Sequence, residues 1–207
     1  MCGRYGCLIE DEFIQVRSVI QNISLPLVED NAGSFNIHKA EISPTDMAPV
    51  ILKTATGIAF EDVKFGFKKW DGKGVVINAR VETLQTKDMF SRLLAAGRCA
   101  VPAGEYYEWR KIGREKVKNY IKDKDGNLLF MAGLYREGPE SREFVIITKD
   151  ACSNISHIHD RMPVILGADQ IEPWLSGELS SEDIAKIAFS AVAAPCMDED
   201  MQLSIWD

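Results

Sequence analysis

Residues 98–135 read RCAVPAGEYYEWRKIGREKVKNYIKDKDGNLLFMAGLY, and this stretch decides the fold. Short runs rich in β-branched and aromatic residues at 99–102, 106–110, 117–121 and 128–135 are strand candidates. Asp125-Gly126 is a hairpin turn signal between the last two runs. Downstream, 144–148 is one more strand; upstream, 48–52, 58–67 and 75–77 have the same character. Helical periodicity is rarer. Phe13, Val16, Ile20 and Ile23 predict an amphipathic helix over 10–23, with Asp11 near its start and Pro26 beyond its end. Residues 86–96 predict a second helix, closed by Gly97 at its C′ position, and 27–45 is irregular. A last helical pair covers 168–175 and 181–192, the latter opening with Glu182 and Asp183. Strands outnumber helices and do not alternate with them, which predicts an α+β fold with a mainly antiparallel core. With no linker or repeat, residues 1–207 are expected to form one domain.

Composition narrows the function classes. The chain has 207 residues, 46% hydrophobic and 27% charged, values of a globular protein. Lys+Arg 24 against Asp+Glu 31 leaves a net charge of −7, which excludes a bulk polycation that coats nucleic acid. Any polyanion site must be a local patch. Five cysteines at 2, 7, 99, 152 and 196 lack a CxxC pair, a pattern of reduced thiols rather than a disulfide framework. There is no secretory signal, and no apolar run approaches the roughly 18 residues of a membrane span. A cytoplasmic protein without a membrane partner is expected.

Cys2 follows the initiator methionine. Removal of Met1 would leave a 1,2-aminothiol, whose α-amine has a pKa of about 7.7–8.0 and is nucleophilic near neutral pH. Attack on an aldehyde gives an imine, and the thiol of the same residue can close a five-membered thiazolidine with an effective molarity on the order of 10⁵ M. The plainer alternative is a small, buried, inert thiol. Asn78 and Arg80 lie two apart on one strand face, either an amide that orients an amine or carbonyl, or a turn asparagine beside a solvated arginine. Glu108 sits among Tyr106, Tyr107 and Trp109, where apolar surroundings raise a carboxylate pKa toward general-acid use, unless it is a surface residue of an edge strand.

His157 and His159 would share a strand face beside Asp160 and Arg161. They offer a proton shuttle; the spacing is not that of a zinc site, so no metal and no cofactor are expected. Arg4, Lys68, Lys69, Lys73, Arg80 and Arg161 concentrate positive charge near these clusters, while Trp70 and Trp109 either stack on unpaired bases or fill core.

Together the clusters resemble the SRAP family, the SOS response-associated peptidase-like proteins. The resemblance rests on MCGRY at 1–5, SPT at 43–45, NARVET at 78–83 and RCAVPAG at 98–104. It continues through YEW at 107–109, MAGLY at 131–135 and IHDRMPV at 158–164. It implies a two-sheet, barrel-like β core flanked by helices, and a protein that senses abasic sites in single-stranded DNA and cross-links to them covalently, without needing to oligomerise. It assigns Cys2 as covalent nucleophile, Asn78 as the holder of the Cys2 amine and the sugar, Glu108 as acid/base, and His159 as proton shuttle. Arg4, Arg80, Trp109, Arg161 and Thr148 resemble its DNA contacts. Where the family often has Trp-Gly and a proline before the asparagine, this chain has FGFKKW at 65–70, leaving Trp70 as the aromatic candidate. Peptidase activity in the family name implies at most autocatalytic or aminopeptidase exposure of Cys2.

Two other classes compete. Glutamine amidotransferases also begin Met-Cys-Gly and use the Cys2 thiol on an amide, which would make this an N-terminal-nucleophile amidohydrolase, although that reading leaves the YEW and HDRMP clusters without a role. A non-covalent single-strand binder with an inert Cys2 is the other.

Overall fold

The computed structural model describes residues 2–33, 40–138 and 140–196. The chain enters as strand β1 (Arg4–Gly6) and helix α1 (Glu10–Gln21), then short strands β2 (Leu27–Asp30) and β3 (Glu41–Ile42). Strands β4 (Met47–Lys53) and β5 (Ile58–Phe65) precede the short β6 (Phe67–Lys68), β7 (Val75–Val76) and β8 (Asn78–Arg80). Helical turns α2 (Asp88–Ser91) and α3 (Leu93–Ala96) lead to β9 (Arg98–Ala103), β10 (Tyr106–Ile112), β11 (Glu115–Asp123), β12 (Leu129–Glu137) and β13 (Arg142–Asp150). Then come β14 (Arg161–Pro163), β15 (Ile165–Leu166), helices α4 (Ile171–Ser176) and α5 (Ser181–Lys186), and β16 (Ala191–Pro195).

One antiparallel sheet has the order β16-β11-β10-β1-β3, and the larger runs β14-β13-β12-β9-β4-β5-β2. A parallel pairing of β13 with β5, Glu143 opposite Lys64 and Phe144 opposite Phe65, closes β13, β12, β9, β4 and β5 into a ring. The barrel-like two-sheet α+β core implied by the resemblance is what the chain forms. The apolar runs are continuous because the larger sheet is covered on both faces. Val50 and Leu52 cluster with Tyr5, Tyr106 and Ile121 of the smaller sheet, whereas Ile51 clusters with Val16 and Ile20 of α1 and Trp174 of α4.

Several expectations are corrected. Asp125-Gly126 does make a turn, with Gly126 at φ +78, but β11 and β12 lie in different sheets, so it is a crossover. The hairpin between β10 and β11 turns instead at Gly113, φ +61. Residues 86–96 form two short turns, because Phe90 turns inward against Phe67 while Leu93 and Leu94 pack nearer β9 and β12. Gly97 is not left-handed; its φ is −116, and a Cβ there would lie 2.4 Å from the Tyr135 carbonyl oxygen. Close approach to β12 demands this glycine. Helix α5 stops at Lys186 and residues 191–195 extend along β11, whose free edge supplies backbone partners. At α1 the cap comes from Glu12 rather than Asp11: its carboxylate accepts the Ile9 N–H at 2.9 Å. No helix among the described residues is long and apolar enough to cross a membrane.

Trp174 fastens the helices to the barrel. It is fully buried, its indole N–H donates to the Cys99 carbonyl at 2.9 Å, and the Arg98 guanidinium lies 4.3 Å from its ring centroid. Trp174→Ala is expected to cost about 3–5 kcal/mol in urea unfolding, as truncation of a large buried aromatic does. A loss under about 1 kcal/mol would show that α4 is not fastened through this ring.

Candidate functional site

Strand β1 is paired on both sides, Tyr5 with Tyr106 of β10 and with Ile42 of β3. That pairing carries residue 2 into the cluster between the sheets, where Cys2 has no exposed surface. Asn78 reaches the same point from the other sheet, because β8 runs parallel to β13 with Asn78 opposite Ile146. Its Nδ2 donates to the Cys2 carbonyl at 3.1 Å and more loosely to the Ile146 carbonyl at 3.4 Å. Its Oδ1 is buried and has no hydrogen-bond partner among the described residues.

Glu108 enters from β10 on the face it shares with Tyr106, opposite Asn119 of β11. It is 4% exposed, and burial pushes its carboxyl above the usual carboxylate range, against the pull of nearby positive charge that includes His159. His159 Nε2 stands 3.9 Å from Glu108 Oε2. Its Nδ1 accepts the Arg161 backbone N–H at 3.0 Å and lies 2.8 Å from an Asp160 carboxylate oxygen. Burial, reinforced by the Glu108 carboxylate, pushes the Cys2 thiol far up, so it rests protonated at neutral pH.

The four residues expected to carry chemistry, Cys2, Asn78, Glu108 and His159, thus converge. Sequence reasoning missed two more: the Tyr5 and Tyr106 hydroxyls are buried without hydrogen-bond partners among the described residues. Burial and the neighbouring Cys2 raise both phenols. The two-residue spacing of Tyr106 and Glu108 was the available signal. Such unsatisfied groups cost about 1–3 kcal/mol each, and native proteins keep few of them.

The candidate DNA contacts divide. Thr148, buried with an unpartnered Oγ1, is opposite the exposed Arg80. Arg4 lies over the half-buried Trp109, 5.6 Å from a ring centroid, and 3.5 Å from Glu41. Trp70 is 98% exposed beyond β6, among the exposed Lys68, Lys69 and Lys73. Arg161, however, is 8% exposed and engaged internally. Its guanidinium meets both Glu82 oxygens at 2.8 and 3.0 Å, Asp150 at 2.5 Å and the Thr148 carbonyl at 2.8 Å. The Arg161 hydrogen bonds hold the Glu82 carboxyl below the usual range. His157 and His159 do not share a strand; His157 is exposed on the turn at 153–158. Among the described residues no group of three or more His, Cys, Asp or Glu is placed to hold a metal. A large groove between α1 and β10 is lined by residues that include Leu8, Phe13 and Tyr107 and contains none of the four converging residues.

A family model described as SOS response associated peptidase (SRAP) matches residues 1–204. The abasic site processing protein YedK of Escherichia coli K12 is 28% identical over 92% of this chain and 86% of its own length. The abasic site processing protein YoaM of Bacillus subtilis 168 is 36% identical over 59% of this chain, which spans about half of it (54%). A crystal structure of a protein from Bacteroides thetaiotaomicron has the same fold, with a TM-score of 0.76 at 22% identity over 97% of this chain and 94% of that one.

The raised Glu108 carboxyl has a consequence for stability. A carboxyl whose pKa is higher in the folded than in the unfolded state favours folding while protonated, and that contribution is lost as pH rises through the folded value. Glu108→Gln is therefore expected to melt higher than the parent near pH 7.5, with the gap shrinking as pH falls and closing only below about pH 4, where both states become protonated. A gap that does not change with pH would contradict the strained carboxylate.

Proposed function

The chain belongs to the SRAP family, and from that premise we propose that it captures abasic sites in single-stranded DNA as a thiazolidine on Cys2, after loss of Met1. The observation that supports this best is the Asn78 hydrogen bond to the Cys2 carbonyl, made across 76 residues of sequence. It directs the Cys2 main chain, and with it the amine released by Met1 removal, toward the two acid–base groups.

The ring-closed deoxyribose first opens: a proton leaves the anomeric hydroxyl and another reaches the ring oxygen, freeing the C1′ aldehyde. Glu108, whose carboxyl burial raises above the usual range, donates to the ring oxygen, and the proton released from the anomeric hydroxyl returns to it by way of His159 at 3.9 Å. The Cys2 nitrogen adds to C1′, and the carbinolamine loses its hydroxyl as water after a second donation from Glu108. The Cys2 sulfur then adds to the iminium carbon while its proton passes to the Glu108 carboxylate. The sum is loss of one water. Arg4 and Arg80 face phosphates, and Trp70 and Trp109 offer ring faces to bases. Arg161 acts from behind, holding Glu82 and the Thr148 backbone beside the site.

The amidohydrolase alternative fits less well. An attacking cysteine thiolate needs a depressed pKa, and here both burial and Glu108 oppose ionisation. In the amine-first route the thiol is needed only after the imine forms, with a base beside it.

Intact-protein mass spectrometry after incubation with an abasic single-stranded oligonucleotide is the direct test. The expected species is the chain less Met1, plus the oligonucleotide, less one water, and Cys2→Ala should abolish it. Cys2→Ser should give only a slower, reversible imine; a stable adduct equal to the parent's would contradict the thiazolidine step. Glu108→Gln should slow adduct formation by about 10²-fold or more with folding intact. Affinity should fall with salt, with a logarithmic slope near −0.7 per phosphate contact and a shallower slope for Arg80→Gln. A flat response would remove the arginines from the interface.

A further inference from the structure

Strands β6 and β7 pair over two residues each, Phe67 with Val76 and Lys68 with Val75. A ribbon that short is not stable alone, yet it carries the fully solvent-facing Trp70 and its lysines. Something must hold it. Gly66, at φ +104, brings the chain in from β5, and its N–H donates to the Phe144 carbonyl at 2.7 Å. Phe67 is buried against Phe90. Beyond these, Glu143 and Arg136, opposite each other on β13 and β12, reach the hairpin together.

Glu143 is 3% exposed, and its Oε2 accepts from Arg136 Nε at 3.0 Å, Arg136 Nη2 at 2.8 Å and the Lys68 backbone N–H at 3.1 Å. Arg136 Nη2 also donates to the Lys68 carbonyl at 2.7 Å, and its guanidinium lies 4.5 Å from the Phe67 ring centroid. Both backbone polar groups of Lys68 are thus gripped by one ion pair. Lys68 ends β6, with one further backbone bond, Lys69 N–H to the Gly74 carbonyl at 3.2 Å, before the tip, so fixing its peptide groups fixes the direction in which residues 69–74 leave the barrel. Buried ion pairs add little net stability compared with apolar packing, and their use lies more often in selecting one geometry.

We propose that Arg136 and Glu143 are positioning residues for nucleic-acid binding: they aim the Trp70 hairpin so that its indole stacks on an unpaired base of a single strand while Lys69 and Lys73 face phosphates. This rests on the single-stranded DNA reading above and adds residues outside the reacting centre. The pair makes no contact with DNA itself. It acts by having the indole in place before the strand arrives, so that less ordering remains to be done on binding. Lysine in place of Arg136 keeps the charge but cannot reach Glu143 and the Lys68 carbonyl with a planar fork.

Fluorescence anisotropy with an undamaged, labelled oligothymidine tests this without the covalent step. Trp70→Ala should weaken binding about tenfold, the size of one base–aromatic stack. Arg136→Lys, which leaves no buried charge unpaired, should weaken it about three- to tenfold with an unchanged melting temperature, as should the neutral double variant Arg136→Met with Glu143→Gln. The deciding measurement is the cycle: in a Trp70→Ala background, Arg136→Lys should cost clearly less affinity than in the parent, because the indole is gone and only the phosphate contacts of Lys69 and Lys73 remain to be aimed. Additive losses, or an Arg136→Lys protein that binds like the parent, would overturn the clamp. Failure of the parent itself to bind the oligothymidine or to cross-link abasic DNA would overturn the underlying DNA reading instead, and the two failures are distinct.

Discussion

The hydrogen bond from Asn78 to the Cys2 carbonyl joins two sheets that share no strand, and the site exists because the fold can make it. It requires β1 to be held between β10 and β3, β8 to lie parallel to β13, and β13 to close the ring with β5. Each is a pairing between distant parts of the sequence. Cys2 could not hold its place by local structure, since β1 is only three residues long. Burial among Tyr5, Val101 and Met131 fixes it, and the amide of Asn78 sets its direction.

Around that bond the protein tolerates local cost. Asn78 Oδ1, Tyr5, Tyr106 and Thr148 all present buried polar atoms without partners among the described residues, and Glu108 is buried as a carboxyl that resists ionising. Groups in this state favour a ligand that supplies donors, acceptors and a proton acceptor. The offsetting stability lies in apolar packing on both faces of the larger sheet and in the Trp174 anchor. Polar side chains elsewhere are well partnered: both terminal nitrogens of Arg161 meet Glu82, with Asp150 and the Thr148 carbonyl beside them, and Arg136 meets Glu143 and Lys68.

The strands were legible because their side chains are β-branched and aromatic over four to nine residues, and every long run from 47 onward is a strand. Turn chemistry was legible too, but not its topological meaning: Asp-Gly makes the same turn in a hairpin or between sheets, and only register tells them apart. The expected helix over 181–192 shortened because a free sheet edge outcompetes a marginal helical end for backbone partners. Among the residues that converge around Cys2, Asn78, Glu108 and His159 were visible through their chemistry. Arg161 was expected as a DNA contact, and sequence does not show Glu82 and Asp150 closing on it. Tyr5 and Tyr106 drew no reading of their own, because sequence does not separate a phenol that fills core from one that offers its hydroxyl.

By itself the sequence determined the fold class, the absence of bulk positive charge and the one residue that can present an amine and a thiol together, because these follow from composition and local covalent structure. Only the tertiary structure decided that Cys2 is buried as a protonated thiol, that Glu108 is raised, that His159 rather than His157 faces it, and that Trp70 stands clear of the barrel. Protonation and orientation depend on desolvation and on neighbours within a few ångströms, and those neighbours come from strands far apart in the chain.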